Sequence, residues 1–461
     1  MWVLQVRALG GLSWAEFTLA YTPPPSKLSR LARIGRLTSK VGGRYLGQKV
    51  KGVFQQDEDR TRDTRKVQVE GAQRVAKAMG QLKGAAMKVG QQMAQVVDGM
   101  DLPPEVGVAL RQLNDKAEPV PFAIIRQEIE RQLDGPISKH FATIDPAPLG
   151  TASLAQAHAA TLHDGRQVVV KVLHEGIESS VDTDLAALRR ILISGRILNR
   201  PKAEINAVFE EVRARLMEEL DYYQEAANLE FFADAFQDDP DILVPRSHPS
   251  LSTARVLTMD RLQGVPLESF RKTASPGAKQ RASLALARSF FRMTFELQAL
   301  HADPHEGNYL FLPDGRVGIL DFGCVKRFNE FWMADYARVA QASIRGNRDQ
   351  TISACLKMGV LTGPSPAAED LLWSFSKAIG APFSGVYKLG AIPDPVTQKM
   401  RELGPKFLRH REIQTPQDVL YLHRSLAGLY NILRRLEAEA DWGVMLEPWY
   451  QMAIDRAEGR S

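Results

Sequence analysis

The sequence has almost no cysteine and no long hydrophobic run. Only Cys324 and Cys355 occur among the 461 residues, which excludes a disulfide framework and a cysteine-rich zinc site. A reducing, cytoplasmic location is the simplest expectation. No stretch of about 18 apolar residues occurs, so we predict no membrane-spanning helix. The first residues also lack a basic segment followed by an apolar run, and we expect no signal peptide.

The remaining composition is that of an ordinary globular protein. Hydrophobic residues make up 44% and charged residues 25% of the chain. These values exclude a wholly disordered or fibrous protein. The length exceeds what one simple core accommodates, and it predicts two or three structural units.

The net charge of +5 is concentrated at one end of the chain. Residues 1–50 contain eight basic residues and one acidic residue, so this segment carries +7 and the remainder carries −2. Between Lys27 and Tyr45, basic residues and apolar residues both recur every three or four positions, which predicts a basic amphipathic helix. One hypothesis is adsorption on an anionic membrane surface or lipid at the inner face of the membrane, or docking to an acidic partner. The other is a helix that packs on its own domain. The segment lacks interleaved aromatic residues, and no nucleic-acid partner is expected.

Changes in composition and in hydrophobic periodicity along the chain predict four segments. They are a basic arm (1–56), a helical extension (57–143), a small strand-rich lobe with inserted helices (144–266) and a helical lobe (267–461). In the small lobe we predict strands at Ala155–Thr161 and Gln167–Leu173 around an Asp-Gly turn, with a loop of small residues at 148–153 before them. Two further strands are expected at Val244–Pro245 and Ala254–Met259, and helices at 122–133, 180–198 and 204–232.

The strongest functional signal is the sequence His301-Ala302-Asp303-Pro304-His305-Glu306-Gly307-Asn308, followed by Asp321-Phe322-Gly323. Asp303 and Asn308 are five positions apart, which is the spacing of the kinase catalytic loop. Two apolar strands around a Pro-Asp-Gly turn separate Asn308 from Asp321, and the hairpin should bring these two side chains together. Oxygen ligands from Asn308 and Asp321 would hold Mg²⁺, and Asp303 would act as a base or orient a nucleophile.

Lys171 is the second signal, because it interrupts a run of β-branched residues. A lysine in that position needs a partner for its charge. In a kinase lobe it would contact the α- and β-phosphates of a nucleotide and pair with a helix glutamate. The alternative is a lysine on an edge strand that points into solvent.

From about Lys66 to Arg435 the chain resembles the UbiB/AarF-type (ABC1-like) atypical kinases, a family linked to ubiquinone biosynthesis. Besides the His301–Asn308 loop, which is similar to the family's HADPHPGN, three segments carry the resemblance. Lys88-Val89-Gly90-Gln91 matches KxGQ, Gly150-Thr151-Ala152-Ser153 stands at the family's alanine-rich loop, and Glu219-Leu220-Asp221 matches ExD. Glu225-Ala226-Ala227-Asn228 follows as a similar motif.

The resemblance implies an α+β, protein-kinase-like two-lobed fold with a helical N-terminal extension. It implies ATP or ADP and Mg²⁺ as cofactors, with phosphates held by Gly150, Thr151, Ala152, Ser153 and Lys171. Glu219 is expected to pair with Lys171, although adjacent acids leave that choice open. The regulatory residues Lys88, Gln91 and Asp221 follow from the KxGQ and ExD motifs, since the extension would lie where a protein substrate binds. Backbone groups near Asp260 and Leu262 are the expected hinge that contacts adenine.

Two positions depart from the family's pattern. Glu306 stands where proline is usual, and the stretch before His301 lacks the usual glycine. Neither change removes a catalytic residue type. We therefore expect an atypical kinase or ATPase that supports ubiquinone or related isoprenoid-lipid metabolism at the membrane surface, with lipid-biosynthesis enzymes as partners. The alternatives are an active protein kinase and a nucleotide-sensing scaffold without catalysis.

Overall fold

The computed structural model describes residues 119–460, apart from 153, 195–205, 391–394, 408–409 and five single positions between 207 and 218. The basic arm, the start of the helical extension with Lys88 and Gln91, and Ser153 therefore lie outside the described residues. The described chain divides into two compact units. The small unit comprises residues 119–226 and 247–261, and the large unit comprises residues 227–246 and 262–460.

An antiparallel sheet forms the core of the small unit. Its strands are β1 (Thr143–Thr151), β2 (Ala155–Thr161), β3 (Gln167–Leu173) and, later in the chain, β5 (Val256–Asp260), in the order β1-β2-β3-β5. The alternating valines of β3 point to one face, where they pack against Ile125 and Ile129 of helix α1 (Phe122–Gln132). The strands predicted at β2 and β3 are confirmed with their bounds, because β-branched residues and an Asp-Gly turn specify a hairpin locally.

The loop predicted at 148–153 is wrong, because β1 extends through Thr151. Pro148 pairs with His158 and Gly150 pairs with Ala157, with register shifts on both sides of Pro148. A proline has no N–H to give to a sheet, and it is tolerated where a strand lies at an edge or bulges. Because β1 is an edge strand with such irregularities, its prolines fit.

Helices α2 (Ile137–His140) and α3 (Ile177–Ser194) also belong to the small unit, and α4 (Tyr222–Ala235) passes from it into the large unit. The helix predicted over residues 204–232 is interrupted. A turn at Glu219 and Leu220 precedes α4, and the Tyr222 amide donates to the Ala254 carbonyl. The turn allows the chain to change direction before α4 begins.

Short strands in the large unit position the segments His301–Asn308 and Asp321–Gly323. Strand β4 (Ile242–Leu243) pairs in parallel with β8 (Val317–Ile319), which forms a hairpin with β7 (Tyr309–Phe311). Strand β6 (Ala299–His301) pairs with β9 (Val325–Arg327). The predicted hairpin between Asn308 and Asp321 is therefore confirmed.

Helices make up most of the rest of the large unit. Helix α6 (Pro276–Phe291) leads through a π-helical turn at Arg292–Glu296 into β6. The described elements are α5 (Leu267–Thr273), α6 (Pro276–Phe291), α7 (Glu330–Ile344), α8 (Arg348–Lys357), α9 (Pro366–Gly380), β10 (Val386–Lys388), α10 (Pro395–Phe407), α11 (Gln417–Arg435), β11 (Glu439–Asp441) and α12 (Trp442–Ala457). This mixture of helices and separate, mostly antiparallel sheets is of the predicted α+β class.

None of the helices in the described part of the chain combines the length and the hydrophobicity that crossing a bilayer requires.

Candidate active site

Lys171 lies on the central strand of the small unit's sheet and is paired. It stands between Ala157 of β2 and Leu257 of β5, on the face of β3 opposite the buried valines. Its Nζ lies 2.5 Å from Oε1 of Glu225, and these side chains are 17% and 4% exposed. The Nζ also lies 5.4 Å from the centre of the Tyr222 ring. The alternative of a solvent-facing lysine on an edge strand is therefore wrong.

A carboxylate in contact with Lys171 is that of Glu225, in the first turn of α4, and the partner that the sequence motif suggested, Glu219, stays a prediction. Glu219 lies in the turn before α4 and is half-buried. Sequence reasoning identified Glu225 as part of a similar motif but did not assign it this role. The signal that could have found it is its position at the start of a helix, since the lysine of a kinase lobe pairs with a helix glutamate.

The β7–β8 hairpin brings Asn308 and Asp321 together in the large unit. The Leu320 amide donates to the Asn308 carbonyl at 2.9 Å, so the two residues flank the same end of the hairpin. Pairing of β6 with β9 adds Asp303, because the Ala302 amide donates to the Cys324 carbonyl at 2.9 Å. Two short ladders thus hold the Asp303, Asn308 and Asp321 backbones next to each other.

Hydrogen bonds orient the side chains within this group. Asn308 donates through Nδ2 to the Asp303 carbonyl at 2.8 Å, which leaves its amide oxygen as the atom able to ligate a cation. One carboxylate oxygen of Asp321 accepts from the Gly323 amide at 2.9 Å. The Asp303 side chain is exposed and, among the described residues, its carboxylate has no hydrogen-bond partner. An exposed carboxylate of this kind is available to a substrate hydroxyl or to water.

The aromatic ring that follows Asp321 is fixed in the core. Phe322 is fully buried and stacks on Phe232 of α4, with ring centres 4.4 Å apart. Its carbonyl accepts from Asn228 Nδ2 at 2.9 Å. His301 packs against the other side of Phe322, and burial lowers the pKa of its imidazole, which is therefore neutral at pH 7. The backbone on both sides of Asp321 is thus rigidly placed.

The donor set suits Mg²⁺ held jointly by protein and phosphate. In the described part of the chain, no group of three or more His, Cys, Asp or Glu side chains could enclose a metal by itself. Mg²⁺ usually takes one or two protein oxygens, together with water and substrate phosphates. The Asp321 carboxylate and the Asn308 amide oxygen match that pattern, whereas they would not suit a soft metal.

The other predicted nucleotide contacts fall in two places in the small unit. Gly150 and Thr151 end β1, and the Ala152 amide donates to the Ala155 carbonyl at 2.8 Å, so this amide is already paired. At the other place, Asp260 ends β5, and His248 Nε2 lies 2.9 Å from its carboxylate. The chain passes into the large unit between Arg261 and Leu262. Asp221 accepts from the Tyr223 amide at the start of α4.

Sequence reasoning missed one ion pair of the His301–Asn308 loop. Glu306 is paired with Arg435, the last residue of α11, and Arg435 Nη2 also lies 2.7 Å from Oε2 of Glu268 in α5. The partners in these two contacts are separated in sequence by 129 and 167 positions, respectively. No local pattern could have indicated them.

A lysine on a central strand paired with a helix glutamate, together with Asp, Asn and Asp side chains around the β7–β8 hairpin, defines a protein of the kinase-like class. The ABC1 atypical kinase-like domain model matches residues 112–355, just over half of the chain. The chain therefore belongs to the ABC1 atypical kinase-like family, as the sequence motifs predicted.

Relatives agree with this assignment. The chain is 28% identical over 421 residues to the mitochondrial atypical kinase COQ8B of Rattus norvegicus, covering 90% of this chain and 79% of that protein. It is 26% identical over 428 residues to the mitochondrial atypical kinase COQ8 of Saccharomyces cerevisiae, covering 90% and 83%. Among solved structures, that of Rv3197 from Mycobacterium tuberculosis in complex with erythromycin matches with a TM-score of 0.61 at 24% identity, covering 87% of this chain and all of that one. The last match supports the fold alone.

Proposed function

We propose that the protein binds Mg²⁺ with ATP or ADP and catalyses slow ATP hydrolysis or phosphoryl transfer to a small molecule. In this proposal Lys171 contacts the nucleotide phosphates, Asn308 and Asp321 hold the metal, and Asp303 orients or deprotonates the attacking hydroxyl or water. Bound Mg²⁺ would neutralise the charge that gathers on the phosphate in the transition state. The implied process is ubiquinone or related isoprenoid-lipid metabolism.

The Lys171–Glu225 contact is the observation that carries the proposal. A lysine that is 17% exposed and paired with a buried glutamate is held in a fixed position. Burying such a pair for stability alone brings little benefit, since its desolvation cost roughly offsets its attraction. A phosphate-binding role explains why this strand has a lysine where its neighbours have valine.

The small side chains beside Lys171 support a nucleotide on this face of the sheet. Ala157 and Ala159 of β2 lie opposite Lys171 and Val169 in the register. Alanine leaves space above the sheet that a larger residue would fill, and apolar faces with a few polar groups are typical of cofactor sites. We propose that the adenine lies here, with backbone groups near Asp260 and Leu262 at its edge.

Nucleotide turnover tests the proposal directly. We expect the Asp321→Asn variant to lose about 100-fold or more of the ATP turnover rate, because the metal loses its charged ligand. The control is Asp314→Asn, in the turn of the same hairpin, where the exposed carboxylate pairs with Arg316. This control should stay within about twofold of the wild-type rate. Equal turnover by wild-type protein and Asp321→Asn would refute the catalytic role.

The assay also separates the two alternatives. Nucleotide-dependent thermal stabilisation without any turnover would favour a nucleotide-sensing scaffold. Phosphate transfer onto a generic protein substrate would favour an active protein kinase. Both ATP and ADP should be measured, because the alanine-rich loop is expected to change the nucleotide preference.

We further propose that residues 1–50, with their +7 charge, place the protein on an anionic membrane. Basic segments near such a surface are attracted by roughly 1 kcal/mol per residue at low salt. Liposomes with anionic lipid should bind the whole chain, and a chain lacking residues 1–50 should bind more weakly with unchanged ATPase activity. Equal binding of both chains would refute this placement.

A further inference from the structure

Arg435 joins the His301–Asn308 loop to a second helix. Its guanidinium pairs with Glu306 through Nη1, and its Nη2 lies 2.7 Å from Oε2 of Glu268. Glu306 is the first residue of a 3₁₀ turn, Glu306–Asn308, whose last residue is the proposed metal ligand Asn308. One side chain therefore connects α11, α5 and the turn that presents Asn308.

Helix α11 follows the same loop over three turns. Arg424 Nη2 donates to the Ala302 carbonyl at 2.7 Å. Gly428 approaches Pro304 so closely that a Cβ placed there would lie 2.6 Å from the proline Cγ and 3.1 Å from its carbonyl oxygen. Residues 424, 428 and 435 lie on one face of a helix with 3.6 residues per turn. The loop is thus supported by α11 along its length, and Arg435 is the last of these supports.

Glu268 is a firm anchor for Arg435. Arg271 and Lys272 also contact it, with Nη2 and Nζ at 3.1 and 3.0 Å from Oε1. Hydrogen bonds from Arg271, Lys272 and Arg435 lower the pKa of this carboxyl to about 2, and it remains ionised at every pH of interest. Arg435 consequently has one fixed partner, Glu268 on α5, and a second partner, Glu306, on the His301–Asn308 loop.

We propose that Arg435 is a positioning residue: by holding Glu306 it fixes the Glu306–Asn308 turn and the direction of the Asn308 amide oxygen. The role in metal binding rests on the proposed function, whereas the fixing of the turn does not. Hydrogen bonds close this turn locally, with the Asn308 amide donating to the His305 carbonyl, the Gly307 amide donating to His305 Nδ1 and Asn308 Nδ2 donating to the Asp303 carbonyl. The Arg435–Glu306 pair adds a link from the turn to α11 and α5.

A proline at position 306 offers an independent way to fix the same turn. Position 306 is the first residue of the 3₁₀ turn, where the fixed φ of proline is favourable. Within the described residues the Glu306 amide donates no hydrogen bond, so proline removes none. His305 before it has φ −78° and ψ 140°, which the residue before a proline readily adopts. In Glu306→Pro the turn should no longer need Arg435.

The test is amide hydrogen exchange of residues 302–309 in the full chain without added nucleotide. Arg435→Ala should speed exchange by roughly threefold to fivefold, the modest effect expected from partly exposed ion pairs. In the Glu306→Pro background the same substitution should change exchange by less than about 1.5-fold relative to Glu306→Pro alone. Arg345→Ala is the control, because it breaks a surface ion pair with Glu447 elsewhere in the large unit.

Two results would overturn the proposal. One is unchanged exchange in Arg435→Ala. The other is an equal acceleration with and without proline at 306, which would mean that Arg435 acts through general stability.

Mg²⁺ titration of ATP turnover then tests the metal. Arg435→Ala should raise the Mg²⁺ concentration for half-maximal turnover severalfold, and Arg435→Lys should do so less, because lysine keeps the charge but not the two-pronged geometry. A change in the maximal rate alone, with unchanged Mg²⁺ dependence, would contradict an effect on Asn308. If the wild-type protein has no turnover, the proposed function fails, while the exchange measurement still decides the role of Arg435.

Discussion

Replacing Lys171 by methionine should affect both stability and turnover, and the structure indicates how much. The substitution keeps the unbranched side chain up to the terminal atom but leaves Glu225 without the Lys171 ammonium group. Glu225 is 4% exposed, so its carboxylate cannot be solvated in place. Removing one member of a buried ion pair costs about 3 to 5 kcal/mol. Because Lys171 is itself 17% exposed, we expect a loss of about 3 kcal/mol in the free energy of unfolding.

Chemical denaturation followed by circular dichroism measures the loss in the free energy of unfolding. A second substitution, Glu225→Gln in the Lys171→Met background, should recover part of the loss, because a neutral amide is less costly to bury than an unpaired carboxylate. The effect on catalysis is measured as the rate of ATP turnover. It should fall about 100-fold or more in Lys171→Met, since a preorganised charge near the phosphates contributes about that factor. It should not recover in the double variant.

A comparison of two glutamates tests the reasoning behind these numbers. Glu225→Gln should lower stability and turnover clearly more than Glu219→Gln does, because the Glu225 carboxylate is buried and lies 2.5 Å from the Lys171 ammonium. An equal or larger effect of Glu219→Gln would refute the assignment. So would a Lys171→Met protein as stable as the wild type, since the pair would then cost nothing to break.

Three further predictions concern the large unit. Phe232→Ala should lower the free energy of unfolding by about 3 to 5 kcal/mol in denaturation experiments, because it leaves a cavity beside the buried Phe322. Gly428→Ala should lower turnover and cost about 1 to 3 kcal/mol, because the added methyl group meets Pro304. Burial lowers the pKa of His423 to about 4. As the pH falls, His423 therefore binds a proton in the unfolded chain at a higher pH than in the folded protein. The free energy of unfolding should fall by up to about 3 kcal/mol as the pH drops from about 6.5 to about 4.

Each of these has a contradicting result. A Phe232→Ala protein with a loss below about 1 kcal/mol would mean that the core closes over the gap. An unaffected Gly428→Ala would mean that α11 does not press on the loop. His423→Gln should flatten the dependence of stability on pH between about 4 and 6.5, and an unchanged slope would exclude His423 as its source.

The parts of the fold that sequence predicted are those whose determinants are adjacent in the chain. Strands β2 and β3 and the β7–β8 hairpin combine β-branched or apolar runs with Asp-Gly turns, and a turn of that kind fixes which residues pair. The hairpin in turn brings Asn308 beside Asp321. The metal side of the candidate site could therefore be predicted without any knowledge of packing.

The remainder depended on contacts between distant residues. Strand β1 contains Pro146 and Pro148, which locally favour a loop, and only its edge position and its bulges make a strand possible there. The choice between Glu219 and Glu225 depended on where a turn ends and α4 begins. The link from Arg435 to Glu306 spans 129 positions and could not be inferred from spacing.

The prolines of β1 have a consequence for how the protein behaves at high concentration. An edge strand exposes unpaired N–H and C=O groups, which can recruit a strand from another molecule. At Pro146 and Pro148 there is no N–H to offer, and the bulges around Pro148 bend the edge away from a regular ladder. The sheet that carries Lys171 is thereby shielded from strand addition along β1. Substituting both prolines by threonine should increase aggregation in light scattering at unchanged ATP turnover.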